Sequence, residues 1–385
     1  MTENEPSSDF QYILVAFFQK AALGFGSLAV LLYAAQAEEI HVAFCLDNNY
    51  AEASGVAAYS LCKHLAPEDF AFIHVVMTEV LKPEHREKFQ QLDGLFPRAC
   101  IQIHDDARTL QQIEHCLSLP HAWQRIGIDA WPIKGMATRL VLDRILSPAL
   151  HKVLYLDGDI LIFSSLRDLW DKLPNEHYPL AGIGDGCIKD PAIFPSGIQK
   201  KRMRHLQVYC PNESFFLYIN SGVLLLELDA IRRENLFTKT IDWLIRHRSI
   251  YPDQDAINVV FNRRTLECEG KWNTFAPFPT ISKPIPGVAV LHYAGPIKPW
   301  KNPHKLLPRW WQPRNWSVIG KYLTLQAPTL WHQYRQESPW RHTKKELISE
   351  LFSTWQDCRI FLAAITVIIG SSLLTIFGLR RLRSP

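Results

Sequence analysis

The run Lys152-Val153-Leu154-Tyr155-Leu156 is apolar after its first residue and stops at Asp157-Gly158-Asp159. A short, unbroken apolar run that ends on turn formers reads as a strand buried on both faces, as in a parallel sheet. The same punctuation recurs on either side. Upstream, Ile40–Cys45 ends at Asp47-Asn48-Asn49-Tyr50 and feeds a small-residue helix over Ala51–Leu65. Phe70–Met77 and Ala99–Ile103 read as strands, and Pro83–Leu95 as a helix with proline in its first turn. A helix from about Lys134 to Ile145 leads into the acidic strand. Downstream, Leu180–Ile183, Tyr218–Leu228 and Val288–His292 add strands, with helical pattern across Ile231–Arg248 and Asp255–Arg263. Such alternation predicts an α/β fold with a mostly parallel central sheet, whose ligands sit at the carboxyl ends of the strands. Asp47, Asp157, Asp159, Asp185 and His292 all fall at or just after the end of an apolar run, which predicts one shared site.

The acidic pair carries the chemistry. Two carboxylates one residue apart repel unless a cation lies between them. Hard divalent ions such as Mg²⁺ or Mn²⁺ take oxygen ligands and share them with substrate phosphates. Alone, Asp-x-Asp is also an ordinary solvated turn. A second signal, His292-Tyr293-Ala294-Gly295-Pro296-Ile297-Lys298-Pro299-Trp300, follows the last strand. An imidazole can complete the shell that two carboxylates begin. Lys298 could hold a phosphate as a point charge, and Gly295 would let the backbone approach it.

With these residues the chain resembles glycosyltransferase family 8, the retaining enzymes that use nucleotide-diphosphate sugars. The resemblance runs collinearly from about Ile40 to Trp300, through Asp47-Asn48-Asn49-Tyr50, Arg139, Leu156-Asp157-Gly158-Asp159, Asn220-Ser221-Gly222-Val223, Asp253-Gln254-Asp255 and the His292–Trp300 motif. Within the family it looks most like the bacterial lipopolysaccharide core glucosyl- and galactosyltransferases, and Ser338-Pro339-Trp340 resembles their tail region. The resemblance implies a Rossmann-like nucleotide-sugar-binding domain of the GT-A type. It implies that Asp157, Asp159 and His292 bind Mn²⁺ or Mg²⁺, which grips the donor diphosphate. Asp47, Asn49 and Tyr50 would then hold uracil and ribose, and Gly295 and Lys298 the phosphate. Arg139, Asp185, Asn220 and Asp253 would orient the sugar, with Gln254 nearest the reacting face of the anomeric carbon. The implied reaction moves a hexose from UDP-glucose or UDP-galactose to a glycan or lipid-linked glycan acceptor. Gly158 stands where other family members vary.

Two other classes are weighed against this. A phosphohydrolase of the haloacid dehalogenase type also ends a strand in Asp-x-Asp, but needs Thr or Val next, where this chain has Ile160, and leaves the His292–Lys298 constellation without a purpose. A catalytically inactive membrane-tethered adaptor is the other, and nothing in the motifs points to lost activity.

Composition bounds the rest. At 385 residues the chain has room for one large domain with extras, and 47% hydrophobic against 21% charged residues excludes wholesale disorder. Lys+Arg 42 against Asp+Glu 38 gives a formal charge of +4, which argues against a global nucleic-acid-binding role. Eight cysteines are scattered with no C-x-x-C pair, which reads as reduced and mostly buried, on a cytosolic face. The expected organisation is an apolar extension over residues 1–38, a catalytic domain over 39–300, a helical, basic, Trp-rich extension over 301–358 and an apolar tail helix over 360–379. Ile360–Leu379 has twenty residues without a charge, long enough for a bilayer core, with Arg359 before it and Arg380, Arg381 and Arg383 after. Lys298–Lys345 holds ten Lys/Arg against one acid, and six of the twelve tryptophans, a mixture suited to an anionic membrane surface. Tyr12–Gln36 carries one charge, Lys20, and follows acids rather than a basic region, so a cleaved signal peptide is not expected. A membrane helix, an interfacial helix and an extension upstream of the true start all fit that segment. The location expected from these features is the inner membrane, with the catalytic domain on its cytoplasmic side.

Overall fold

The protein's computed structural model describes residues 38–117, 125–126, 131–172, 177–186, 198–247, 249–276, 283–295, 298–300, 329–343 and 346. Its strands are β1 (Glu38–Leu46), β2 (Asp69–Met77), β3 (Ala99–His104), β4 (Arg125–Ile126), β5 (Trp131–Pro132), β6 (Lys152–Leu156), β7 (Ile160–Ile162), β8 (Leu180–Gly184), β9 (Ile219–Glu227), β10 (Thr265–Glu267), β11 (Thr274–Phe275) and β12 (Val290–His292). The main sheet has seven strands in the order β10-β8-β9-β6-β1-β2-β3. Only β9 runs against its neighbours β6 and β8; the other pairings are parallel. Parallel neighbours need long crossovers, and helices Ala51–Lys63 and Pro83–Leu95 supply them between β1, β2 and β3.

Both faces of the sheet are covered. Ile40, Val42, Phe44 and Leu46 of β1 pack into one apolar layer and Ala43 into the other. That double burial is why β1, β2 and β6 read as continuous apolar runs rather than alternating ones.

Two pairings bring the predicted site together. β12 runs antiparallel to β7, with His292 opposite Ile160, and so lies beside the turn that carries Asp159. The Tyr293 amide donates to the Asp159 carbonyl at 2.9 Å, fixing that register. On the other side, β6 pairs with β9 up to Leu156 and Val223, and the Asp157 amide donates to the Gly222 carbonyl at 2.8 Å.

The expected single helix over Lys134–Ile145 is instead three short pieces: α-helix Ile133–Ala137, a 3₁₀ turn Thr138–Val141 and α-helix Leu142–Ile145. The tighter turn falls where Arg139 is drawn inward and its Nε donates to the Met136 carbonyl at 2.8 Å. The helical pattern over Ile231–Arg248 is likewise two helices, Leu228–Arg233 and Leu236–Arg246, broken at Asn235, which adopts φ 53°. Asparagine is among the few residues that tolerate this left-handed conformation. The next helix runs over Pro252–Val260 rather than Asp255–Arg263, so proline opens it and Asp253 and Gln254 sit in its first turn. Helices Ala107–Cys116 and Ile198–Tyr209 and edge strand β10 are additions to the sequence reading.

Of the C-terminal extension, helix Leu330–Glu337 is described, its first turn capped by the Thr329 hydroxyl, which accepts from the His332 amide at 3.3 Å. It packs on helix Ala51–Lys63, with Lys63 Nζ 2.5 Å from Glu337 and Arg335 3.6 Å from Glu52. The predicted tail helix over 360–379 and the N-terminal apolar stretch lie outside the described residues. Among the described residues, no helix is long and apolar enough to cross a membrane. Among the described residues Cys45, Cys62, Cys100, Cys116, Cys210 and Cys268 form no disulfide, and Cys62, Cys100 and Cys268 are buried; Cys187 and Cys358 lie outside the described residues.

Candidate active site

Asp157, Asp159 and His292 converge where β6 and β12 end, with one ligand atom from each inside a 4.8 Å circle. His292 Nε2 lies 3.2 Å from Asp159 Oδ1 and 3.7 Å from Asp157 Oδ2. Its Nδ1 is held 2.8 Å from Asn273 Oδ1, just ahead of β11. Gly222 forms the floor. A β-carbon there would lie 2.5 Å from His292 Cε1 and 2.7 Å from Asp157 Oδ2, so only glycine leaves the space between these groups open.

Cations flank the cluster. Arg139 lies 3.1 Å from Asp157 Oδ1 and 3.4 Å from Asp253 Oδ2, with its guanidinium 4.5 Å from the Tyr155 ring centroid. Burial works against its charge, yet Asp157, Tyr155 and Asp253 outweigh that and raise its pKa. The Lys298 ammonium rests on Asp159 Oδ2 and donates to the Tyr293 carbonyl at 2.7 Å. Burial alone would raise the Asp159 carboxyl, but Lys298 and His292 hold it well below the ordinary carboxylate range. Asp253 goes the other way: burial raises its pKa despite Arg139. Asp157, Asp159 and Asp253 thus face the two cations Arg139 and Lys298 across the cluster. Two carboxylates, an imidazole nitrogen and a floor without a side chain fit a divalent cation.

Most of the other predicted residues join through hydrogen bonds. Asn220 Nδ2 lies 2.9 Å from Gln254 Oε1 and 3.4 Å from Asp185 Oδ1. Asp185 is also held by Arg202 Nε at 2.9 Å. Gln254 Oε1 accepts from the Ser221 amide at 3.1 Å, and its Nε2 donates to the Tyr218 hydroxyl at 3.1 Å. Ser221 Oγ donates to Asp253 at 3.2 Å. Asp47 and Asn49 sit in a turn of their own, where Asp47 accepts from the Tyr50 amide and from Asn49 Nδ2, each at 3.1 Å. Tyr50 meets Trp300 edge to face, ring centroids 6.2 Å apart. Burial raises the Tyr50 pKa well above its usual value, with Asp159, Asp157 and Asp47 adding to it. Gly295 takes φ +94°, in the left-handed region that favours glycine. In this structure, then, the Lys298 ammonium is engaged by the carboxylate the sequence reading gave to the metal.

Residues 41–303 match the family model described as Glycosyl transferase family 8. The chain belongs to this family. Among curated family relatives it is 22% identical to the General stress protein A of Bacillus subtilis, over 69% of this chain and 88% of that protein. It is 26% identical to the Lipopolysaccharide 1,2-glucosyltransferase of Escherichia coli K12, over 68% of this chain and 73% of the relative. It is 22% identical to the Lipopolysaccharide 1,3-galactosyltransferase of Salmonella typhimurium, over 80% of each. Among solved structures, the galactosyltransferase LgtC in complex with donor and acceptor sugar analogues shares the fold at TM-score 0.50 and 22% identity, over 77% of this chain and all of that one. The WbbM bifunctional enzyme shares it at TM-score 0.53 and 18% identity, over 69% of this chain and 47% of that one.

The family reading left several site residues unnamed. Tyr155 donates to Asp157 at 2.6 Å, Arg202 anchors Asp185, and Asn273 anchors His292. Tyr155 had a local signal, since in extended chain the residue two before Asp157 points to the same side as it does. Arg202 and Asn273 belong to no motif, and only the fold brings them in.

Proposed function

We propose that this family 8 glycosyltransferase is a divalent-cation-dependent, retaining hexosyltransferase. Its donor is UDP-glucose or UDP-galactose, and its acceptor is a glycan of the lipopolysaccharide core, a reading supported by the lipopolysaccharide glucosyl- and galactosyltransferases among its relatives. The observation that carries the reading is the Asp157–Asp159–His292 cluster over Gly222. Those three side chains hold Mn²⁺ or Mg²⁺, and the bound ion supplies electrostatic neutralisation of the charge that grows on the leaving diphosphate. Lys298 adds a positive charge at the same place, worth most in a buried site. Asp47, Asn49 and Tyr50 take the nucleoside, while Arg139, Asp185 and Asn220 orient the sugar.

Retention needs either a covalent intermediate or attack on the same face. Gln254 is a neutral amide whose oxygen already accepts two hydrogen bonds, which makes it a poor nucleophile. Asp253, the other candidate, is tied to Arg139 and Ser221. Both restraints support front-face attack, with the leaving phosphate as base and the Gln254 dipole beside the reacting carbon, over a double displacement through Asp253.

We further place the enzyme at the inner membrane through residues 360–379, with the catalytic domain on the cytoplasmic side where nucleotide sugars are made. The described cysteines, none of them in a disulfide, support that side.

Incubation with UDP-hexoses and Mn²⁺ tests the reading. Metal-dependent release of UDP and an α-linked product by proton NMR are expected. Release of inorganic phosphate would instead assign a phosphohydrolase, and a β-linked product would remove the retaining mechanism.

A further inference from the structure

We propose that Asn273 is a positioning residue for the metal centre: its amide fixes which nitrogen of His292 faces the two carboxylates and couples that imidazole to Asn220 and Gln254. The inference deepens the metal-dependent reading and rests on it.

The orientation of every amide follows from two backbone donors. The Gly222 amide N–H lies 3.0 Å from one terminal atom of the Asn220 side chain, so that atom is the oxygen. The Asn273 atom 2.8 Å from the same oxygen must then be its nitrogen. This leaves the Asn273 oxygen facing His292 Nδ1 at 2.8 Å, so Nδ1 carries the proton and donates. The Ser221 amide N–H fixes the Gln254 oxygen in the same way, and Asn220 Nδ2 donates to that oxygen. No amide in the chain can flip alone without setting donor against donor or acceptor against acceptor.

The consequence lies at the other side of the ring. With Nδ1 committed to Asn273, Nε2 is the nitrogen left to face a cation between Asp157 and Asp159. An imidazole ligand whose remote N–H is held by an acceptor is fixed in tautomer and ring angle, and such partners commonly set metal affinity. Asn273 is 1% exposed and His292 3% exposed, so water does not replace the contact readily. Asn273 thus has two separable tasks. Its oxygen serves the metal ligand, and its NH₂ serves the Asn220–Gln254 amides at the sugar.

Two substitutions separate those tasks. Asn273→Ala removes both, whereas Asn273→Asp keeps an acceptor for His292 Nδ1 and loses the donor to Asn220. The measurements are Mn²⁺ titration of the full-length protein in detergent by calorimetry, and kcat and KM for metal-dependent UDP-hexose hydrolysis. Thermal melting identifies the folded variants. The expected result for Asn273→Ala is Mn²⁺ affinity about 10–100-fold weaker. For Asn273→Asp, affinity stays equal or becomes tighter while kcat falls at least about tenfold, as for lost orientation at the reacting centre.

Wild-type Mn²⁺ affinity in a folded Asn273→Ala protein overturns the inference and leaves the metal reading standing. Should the alanine variant not fold, Asn273→Asp decides: lost affinity with kcat retained overturns it. Absence of Mn²⁺ binding by the wild type, with or without UDP, removes both this inference and the reading it rests on.

Discussion

Gly158 lies so close to Ser54 that a β-carbon on it would stand 2.1 Å from the serine hydroxyl oxygen and 3.2 Å from its β-carbon. Ser54 is in the second turn of helix Ala51–Lys63 and is 1% exposed, so it has little room to move away. This contact accounts for glycine between the two predicted metal aspartates. The turn after β6, which carries Asp157 and Asp159, is pressed onto the first helix at this point.

Gly158→Ala should therefore be destabilised by roughly 1–3 kcal/mol, the usual cost of overpacking. Adding Ser54→Gly removes the opposing atoms and should restore part of the loss, offset by about 1 kcal/mol for glycine in a helix. Thermal melting of the two single variants and the double variant measures the coupling. Strict additivity would show that the Ser54 contact does not decide residue 158.

Asp159→Ala and His292→Ala should each abolish metal-dependent transfer, because the charge on the diphosphate would lose stabilisation worth on the order of several kcal/mol. Asp168→Ala should not: its side chain is 77% exposed on the short helix Arg167–Trp170, and its nearest cation, Lys271, is 3.9 Å away. Calorimetric Mn²⁺ binding and UDP release read the contrast. A ligand variant that keeps full activity in excess chelator would end the metal assignment.

These variants touch the part of the molecule that the sequence discloses best. β6 and its acidic turn are legible because a strand buried on both faces is written as an unbroken apolar run. The closure of the site is much less so. His292 reaches Asp159 because β12 pairs antiparallel with β7, and Ile160–Ile162 is a three-residue strand, too short for periodicity to mark. Arg139 was legible as a residue but its helix was not, since the 3₁₀ turn that aims it is a tertiary compromise. Asn273 carries no local signal at all. Its role depends on Phe275 pairing with His292 across β11 and β12.

Asp143 offers a stability switch away from the site. Burial pushes its carboxyl up to about 6, with Arg144 and Arg232 only partly offsetting it, and its Oδ1 has no hydrogen-bond partner among the described residues. The folded pKa is above the unfolded value of about 3.9, so this group favours folding at low pH and the benefit is lost as pH rises through about 6. Asp143→Asn should match the wild type near pH 4 and be more stable at pH 8 by about 1 kcal/mol, allowing for solvent screening of a partly exposed group. Melting temperatures across that range test the sign. An asparagine variant that is less stable at pH 8 than at pH 4, relative to wild type, contradicts it.

The extension around Leu330–Glu337 is anchored by Trp340. Its indole lies over Gly55, where a β-carbon would be 2.2 Å from the ring, and meets Phe89 edge to face at 4.9 Å. Trp340→Ala should cost about 3–5 kcal/mol if the segment folds with the domain. Gly55→Ala should lower the melting temperature as well, by displacing the same ring. A Trp340→Ala protein that melts like wild type would mean the extension is not part of the cooperative unit.

Ile360–Leu379 carries no charge over twenty residues, and both flanks are basic, with Arg341, Lys344, Lys345 and Arg359 before it and Arg380, Arg381 and Arg383 after it. The positive-inside rule therefore gives no orientation. A chain ending at Gln356 keeps every catalytic motif and the Trp340 anchor, because all of them precede the cut. It should lose stable membrane attachment while retaining metal-dependent hydrolysis of the donor. Weak binding to anionic vesicles should persist through the basic, Trp-containing stretch 300–340 and disappear as salt is raised, since exposed charges are screened within about 8–10 Å at physiological ionic strength. Fractionation in low and high salt separates these contributions. Full-length protein that fractionates away from membranes at low salt without detergent, or a shortened chain that stays in the membrane after a high-salt wash, would show that residues 360–379 are not the anchor.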